Sequence, residues 1–282
     1  LGQALEQAAK ERFHAILDAA RREDWQSKPI GDILTHVGRT LVGAPCLSKA
    51  QMLFETTTRV PWAYLLAFDC IIYMETVLAT ARIIQRSGPS KCAKQLSLEL
   101  SRIRSRTGVP TSDPLSLVQY AEEWVHLNAA RGIVENITPK LHGKLLRPKK
   151  LHAFSDKLRR KDPVRTRAAM ALETAISRLE FFAIPIRLIS RIKPKLINGD
   201  IIAFVDNPPG ARVGHVGVAC RDRFGQVGLL HASQASPAAE NKICLETSLS
   251  RWVADRPDIS AVAVIRPLDT PIEYNRNHDR RS

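Results

Sequence analysis

At 282 residues, with 44% hydrophobic and 25% charged side chains, the chain can bury the core of one large domain or two small ones and has a globular composition. It contains no run of about 18 uncharged apolar residues. The most apolar helical stretch, around 71–84, is interrupted by Glu75 and Arg82, which excludes a membrane span. A formal charge of +14, from 42 Lys and Arg against 28 Asp and Glu, favours polyanionic partners: nucleic acid, acidic lipid surfaces or anionic cell-wall polymers.

The opening stretch LGQALEQAAKERFHAILDAARR sets Leu5, Ala8, Ala9, Phe13, Ile16 and Leu17 at helical spacing, predicting a surface helix over 3–22. It has neither an initiator Met nor the basic-then-apolar order of a signal peptide, as expected of a mature or trimmed form. Further helices are expected at about 47–56, 69–86, 91–105 and 114–127, set apart by SGPS, TGVPTSDP and RGIVENITP. Another is expected over about 164–180, ending before Pro185. Residues 144–167, KLLRPKKLHAFSDKLRRKDPVRTR, hold ten basic residues, two aspartates and a single aromatic, Phe154. Without interleaved stacking aromatics this reads as a solvated basic face or an anionic-surface contact before it reads as a nucleic-acid groove. Beyond Lys195 come short β-rich runs, DIIAFV, HVGVACR, VGLLHAS, KICLET and AVAVIRPL, separated by NPPG, RFG and ASPAAEN turns. Helices first and an antiparallel sheet after them make an α+β chain, with no internal repeat.

The five cysteines, Cys46, Cys70, Cys92, Cys220 and Cys244, are odd in number and widely separated, so a disulfide scaffold or a zinc ribbon is not favoured. One of them raises a question. AFDCIIYMETVLATA, residues 67–81, places Asp69 and Cys70 at the head of an apolar helix. Most free cysteines are simply buried, but a thiol at a helix N-terminus feels the positive end of the macrodipole and ionises more easily.

A nucleophilic thiol needs a base, and the base a third group to orient it. HVGVACRDRFGQVGLLHAS carries His215 and His231 on successive strand-like runs. If the hairpin closes around Arg223, position 215 faces 231 and 219 faces 227, on one face of the sheet. His215 is then the candidate base and His231 the orienter, while Gly214 and Gly217 would let the helix and its thiol come close to the strand. Cys70, His215 and His231 are also an acceptable zinc ligand set, although their spread over three elements gives zinc no additional support.

FDC at 68–70, GDIIAF at 199–204, HVGVA at 215–219 and LLHAS at 229–233 occur in the order found in the papain-like NlpC-type cell-wall hydrolases. The longer context, VGRTLVGAP at 37–45, YMETVLATAR at 73–82 and RGIVENIT at 131–138, resembles the branch called N-acetylmuramoyl-L-alanine amidase-like, over roughly residues 30–267. The resemblance implies a papain-like cysteine hydrolase of the α+β class, its helical N-terminal half packed on a C-terminal antiparallel β-sheet. It also implies Cys70 as nucleophile, His215 as base and His231 as third member of a triad acting on peptidoglycan. The layout becomes an N-terminal helix extension over 1–29, an amidase domain over 30–270 with a helical insert around 87–195, and a tail over 271–282.

Two positions depart from the relatives. Cys46 stands after the GxP turn, where relatives commonly carry a tyrosine that helps form the substrate pocket. Ile71 replaces the serine that in the endopeptidase branch helps bind the substrate amine. The expected reaction is therefore cleavage between N-acetylmuramic acid and L-Ala, with the Cys70 backbone N–H holding the oxyanion. The alternatives are an endopeptidase cutting D-Glu-diaminopimelate and a non-catalytic module binding anionic cell wall. Asp69 is expected to orient stem-peptide polar groups or to cap the helix. Glu75, on the same helix, is grouped with Asp69 and Cys46 as a substrate-side candidate, with an Arg partner as its commoner use. No cofactor is called for; the expected partner is peptidoglycan or muropeptides rather than nucleic acid, and the expected location is the periplasm or beyond.

Overall fold

The computed structural model describes residues 2–46, 65, 67–89, 93–109, 113–146, 155, 162–206, 213–233 and 241–270. The helix expected over 47–56, Cys92, Phe154 with most of the basic run, and the tail over 271–282 lie outside the described residues. In chain order the main helices are α1 (Gly2–Arg22), α2 (Ile30–Thr40), α3 (Cys70–Ser87), α4 (Ala93–Arg104), α5 (Ala121–Ala130), α6 (Pro163–Ile176) and α7 (Leu249–Ala254). The strands are β1 (Val134–Asn136), β2 (Lys144–Leu146), β3 (Phe181–Pro185), β4 (Ile201–Asp206), β5 (Val213–Arg221), β6 (Val227–Ser233), β7 (Lys242–Glu246) and β8 (Ile259–Pro267). They form one eight-stranded sheet in the order β2-β3-β8-β4-β5-β6-β7, with β1 also paired to β8, and every pairing is antiparallel. The α+β class expected from the sequence is the class observed.

The sheet is covered on both faces. One face meets α2 and α3 through Val216, Val218, Leu230 and Ile243, packed with Ile33, Val37, Ile72 and Val77. The other carries Phe204, Ala219, Leu229 and Val262 against Trp252 and Leu249 of α7 and the short helical turns around 186–195. Alternation along each strand produces the two faces, because successive side chains point to opposite sides.

Four differences from the sequence reading have local causes. First, α1 is not a surface element: Ala9, Phe13, Ile16, Leu17 and Ala20 are buried in the same core as α2 and α3. Second, α2 was not expected, because Gly31, Gly38 and its β-branched residues have low helix propensity. Both glycines are sites of close approach: a Cβ on Gly31 would collide with the Asn198 carbonyl, and one on Gly38 with the Tyr73 hydroxyl. Tyr73 Oη donates to Gly38 O at 3.1 Å, fastening α2 to α3.

Third, the helix expected over 114–127 is a 3-10 turn at Pro114–Ser116, an extended segment, and then α5. Asp113 closes the turn by accepting from Leu115 N at 3.1 Å, and Arg106 Nη1 donates to Leu117 O at 2.7 Å while its Nε meets Glu123 Oε1 at 2.5 Å. Those bonds hold the backbone out of a helix. Fourth, the chain after α6 returns as strand β3, which pairs β8 through Ile184 and Pro185.

Candidate active site

The head of α3 is fixed from both sides. Phe68 N donates to Pro45 O at 3.0 Å, and Cys46 bridges Phe68, pinning the chain that enters the helix. Asp69 is the N-cap, extended at φ −96°, with Oδ1 accepting from Ile72 N at 2.7 Å. Cys70 is therefore the first helical residue, where amides have no intrahelical acceptor.

The hairpin carrying the histidines closes differently from the register expected. Ala219 faces Leu229 and Arg221 faces Val227, so the turn centres on Phe224 rather than Arg223. Asp222-Arg223-Phe224-Gly225 forms a tight turn with Gly225 N donating to Asp222 O at 3.0 Å and Gly225 at φ +79°. A three-residue loop ending in a left-handed glycine sets this register. The shift moves His231 by two residues, opposite Gly217 rather than His215, and a two-residue shift keeps both rings on one face. The glycines serve the sheet rather than the helix: a Cβ on Gly217 would press on Leu229 and His231, and one on Gly214 on Asp206.

Within this arrangement the two rings meet. His215 Nε2 lies 2.9 Å from His231 Nδ1. His231 Nε2 in turn lies 3.2 Å from Cys244 Sγ and 3.7 Å from Glu246 Oε1, both on β7. The Cys244 sulfur is the nearer neighbour of His231 Nε2, and Glu246 Oε1 stands beyond hydrogen-bond distance. In the tautomer with His215 donating from Nε2, His231 Nδ1 is the acceptor and His215 Nδ1 keeps its lone pair. Trp252 packs over both rings, at 5.6 Å from His215 and 5.1 Å from His231, and Phe204 stacks on His215 at 5.9 Å.

The helix that Cys70 leads packs on the same strand. Ala219 N donates toward β4, to Asp200 O at 2.8 Å, so the alternating amide of Val216 points toward β6. Pairing of β5 with β6 ends at Val218 and Leu230 among the described residues. The Val216 N–H left there favours the thiolate of Cys70. Helix α3 packs on β5, and no hydrogen bond joins the Cys70 thiol to either imidazole among the described residues.

Burial sets the charge states. It pushes the Cys70 thiol up to about 12, with the Asp69 carboxylate adding to the effect and the Val216 N–H opposing it. Burial also lowers His215 to about 4, helped by Arg256 and opposed by Asp258. His231 is depressed first by burial and then by His215. The resting pair is a neutral thiol beside a neutral imidazole.

The remaining sequence candidates have other neighbours. Cys46 is buried, its N–H donating to Asn241 O at 2.6 Å, and its thiol is raised to about 11 by burial and by Asp69. Glu75 is buried beneath the helix, accepting from Trp124 Nε1 at 3.1 Å and 3.5 Å from Arg104 Nη1, with burial lifting its carboxyl to about 7. The sequence reading missed Trp252, Cys244 and Glu246. The alternation in KICLE does place Cys244 and Glu246 on one face, while nothing in the sequence singles out Trp252.

Next to Ile71 lies a small pocket of about 30 Å³, lined by Ile71, Met74, Gln119, Tyr120, Trp124 and Val216 among others. Among the described residues no acidic side chain lines it.

A helix capped by Asp69, led by a thiol and laid on an antiparallel sheet that carries a histidine pair defines a class of α+β protein with a candidate hydrolytic centre. Its sequence profile is specific: residues 36–259 match the N-acetylmuramoyl-L-alanine amidase-like family, and the chain belongs to that family. No curated protein sequence matches it. Among solved structures it is similar to an N-acetylmuramoyl-L-alanine amidase from Bacteroides uniformis, with 20% identity and a TM-score of 0.69 over 84% of this chain and 98% of the other. A putative xylanase from Bacteroides fragilis shares 25% identity, with a TM-score of 0.64 over 81% and 98%. A protein from Legionella pneumophila shares 15% identity, with a TM-score of 0.64 over 96% and 99%.

Proposed function

We propose that the protein is a papain-like cysteine amidase that hydrolyses the amide between the lactyl group of N-acetylmuramic acid and L-Ala. The observation that carries this reading is the His215–His231 contact at 2.9 Å, with the helix led by Cys70 packed on the strand that carries His215. Family membership supplies the substrate class.

In this mechanism the Cys70 thiol gives its proton to His215 Nδ1 as the sulfur attacks the lactyl carbonyl carbon. The imidazolium formed on His215 is held by its Nε2–H bond to His231 Nδ1. The oxyanion accepts from the Cys70 backbone N–H, a contribution worth about 3 kcal/mol per donor. His215 then protonates the leaving L-Ala nitrogen, the C–N bond breaks, and water releases the acyl group from sulfur. Ile71, in place of the serine that in the endopeptidase branch helps bind the substrate amine, favours the amidase over an endopeptidase that reads a free N-terminus. A cell-wall substrate places the enzyme in the periplasm or beyond.

The test is mass spectrometry of the products from a defined N-acetylmuramoyl tripeptide, with the intact protein, Cys70→Ala, and a chelator-treated sample. Free sugar acid plus intact tripeptide, lost in Cys70→Ala and kept with chelator, is the expected result. Sugar still bearing L-Ala-D-Glu would make the protein an endopeptidase, and no cleavage would move it to a binding module.

A further inference from the structure

Behind the histidine pair, three donors of different chemistry converge. His231 and Cys244 face each other across β6 and β7, and Glu246 lies two residues along β7 on the same face. Their ligand atoms all lie within 4.8 Å of one another. His231 Nε2 is 3.2 Å from Cys244 Sγ and 3.7 Å from Glu246 Oε1, and the sulfur is 3.8 Å from that oxygen. A point equidistant from the three lies about 2 Å from each, close to zinc–nitrogen, zinc–oxygen and zinc–sulfur bond lengths.

We propose that His231 Nε2, Cys244 Sγ and Glu246 Oε1 bind a divalent cation of the zinc class, and that the ion switches off His215 as a base. The switch rests on the amidase reading of His215; the ion site does not. This donor set differs from the Cys70, His215 and His231 set suggested by the sequence, and it leaves the nucleophile free. A thiolate and a carboxylate neutralise the dication, so the filled site carries no net charge into a largely buried position. The Glu246 side chain is 21% exposed, which gives the ion a way in and leaves a fourth position for water.

The switch follows from proton positions. An ion on His231 Nε2 takes the lone pair of that nitrogen, so neutral His231 must carry its proton on Nδ1. That Nδ1–H now donates to His215 Nε2, so His215 carries its own proton on Nδ1 and has no lone pair for the Cys70 thiol. Each imidazole keeps one proton on the opposite nitrogen, and the Cys244 thiol proton leaves to solvent.

The experiment uses the full chain, stripped with chelator and reloaded with cobalt(II) as the spectroscopic probe or with zinc for affinity. One equivalent of cobalt should give a thiolate-to-cobalt charge-transfer band that survives Cys70→Ser and disappears in Cys244→Ser. Glu246→Gln should weaken zinc at least tenfold, a second variant in case Cys244→Ser fails to fold. Zinc should slow iodoacetamide alkylation of Cys70 at least tenfold in the wild type and have no effect in Cys244→Ser. A band that survives Cys244→Ser, or one lost in Cys70→Ser, would refute the site. Zinc bound through Cys244 with unchanged Cys70 alkylation would refute the switch. None of these readouts needs turnover, so an absence of amidase activity would defeat the functional reading alone.

Discussion

Trp252 is the side chain that keeps water from the histidine pair, and its removal should move the acid limb of the pH profile. It is 7% exposed, touches both rings, and has the Arg256 guanidinium 5.0 Å from its ring centroid. With His215 lowered to about 4, about 90% of it is neutral at pH 5 and competent as a base. At the ordinary histidine value of 6.5, only about 3% would be neutral at that pH. Because the base works in its unprotonated form, activity is present above its pKa and lost as pH falls through it. Trp252→Ala rehydrates the rings, so the limb should move from about 4 toward 6.5 and cost up to about 30-fold at pH 5, with a much smaller change at pH 8. The charged groups acting on His215 are Arg256, Asp258 and, through the ring contact, His231. The assay is kcat/KM against pH with chelator present, at a temperature where circular dichroism shows the variant folded, since losing a buried Trp costs about 3–5 kcal/mol. Imidazole titration by NMR gives the same pKa without turnover. A wild-type limb near 6.5, or a limb that Trp252→Ala leaves in place, would show that burial does not set the base.

Three further outcomes follow from the same site. Asp69→Asn keeps an N-cap acceptor and removes a negative charge that raises the Cys70 thiol, so stability should hold while alkylation of Cys70 at pH 8 becomes faster; slower alkylation would contradict the assignment. Glu75→Ala removes the carboxylate that faces Arg104 and the acceptor of the Trp124 N–H in the core and should cost about 3–5 kcal/mol in denaturant unfolding, whereas an unchanged midpoint would mean the cluster contributes nothing. Cys70→Ala should abolish product formation at an unchanged melting temperature, because the side chain is partly exposed and caps nothing.

Much of this site was legible because its chemistry sits in short contiguous runs. Asp69 and Cys70 announce a capped helix, and the alternation through HVGVACR and VGLLHAS puts both histidines on one face whichever even register the hairpin takes. The register itself was open to reading: Asp222 and Gly225 are the residues a three-residue loop requires, and centring on Arg223 overlooked that chemistry. Helix α2 was hidden because the glycines that argue against a helix locally are demanded by neighbours far along the chain, Asn198 and Tyr73. Trp252 was hidden for the same reason, since its partners Phe204, His215 and His231 belong to three other strands. Local pattern reports what a segment can be, and long-range contact decides which residue it must meet.

The position of β8 has a consequence for how the chain is made. The last strand in sequence lies inside the sheet, paired to β4 along its length and to β3 and β1 on its other side. Just beyond it Asp269 accepts from Ile30 N at 2.8 Å and from Gln85 Nε2 at 2.6 Å, and Thr270 N donates to Gln85 Oε1 at 2.7 Å. While the ribosome is still adding β8, the strands meant for its two sides are separate pieces with unpaired edges. Helices can form early, but the sheet is incomplete until β8 has emerged, and such long-range closure is slow and open to aggregation. A chaperone or an immediate partner for those edges would serve this protein most in the seconds before its final strand arrives.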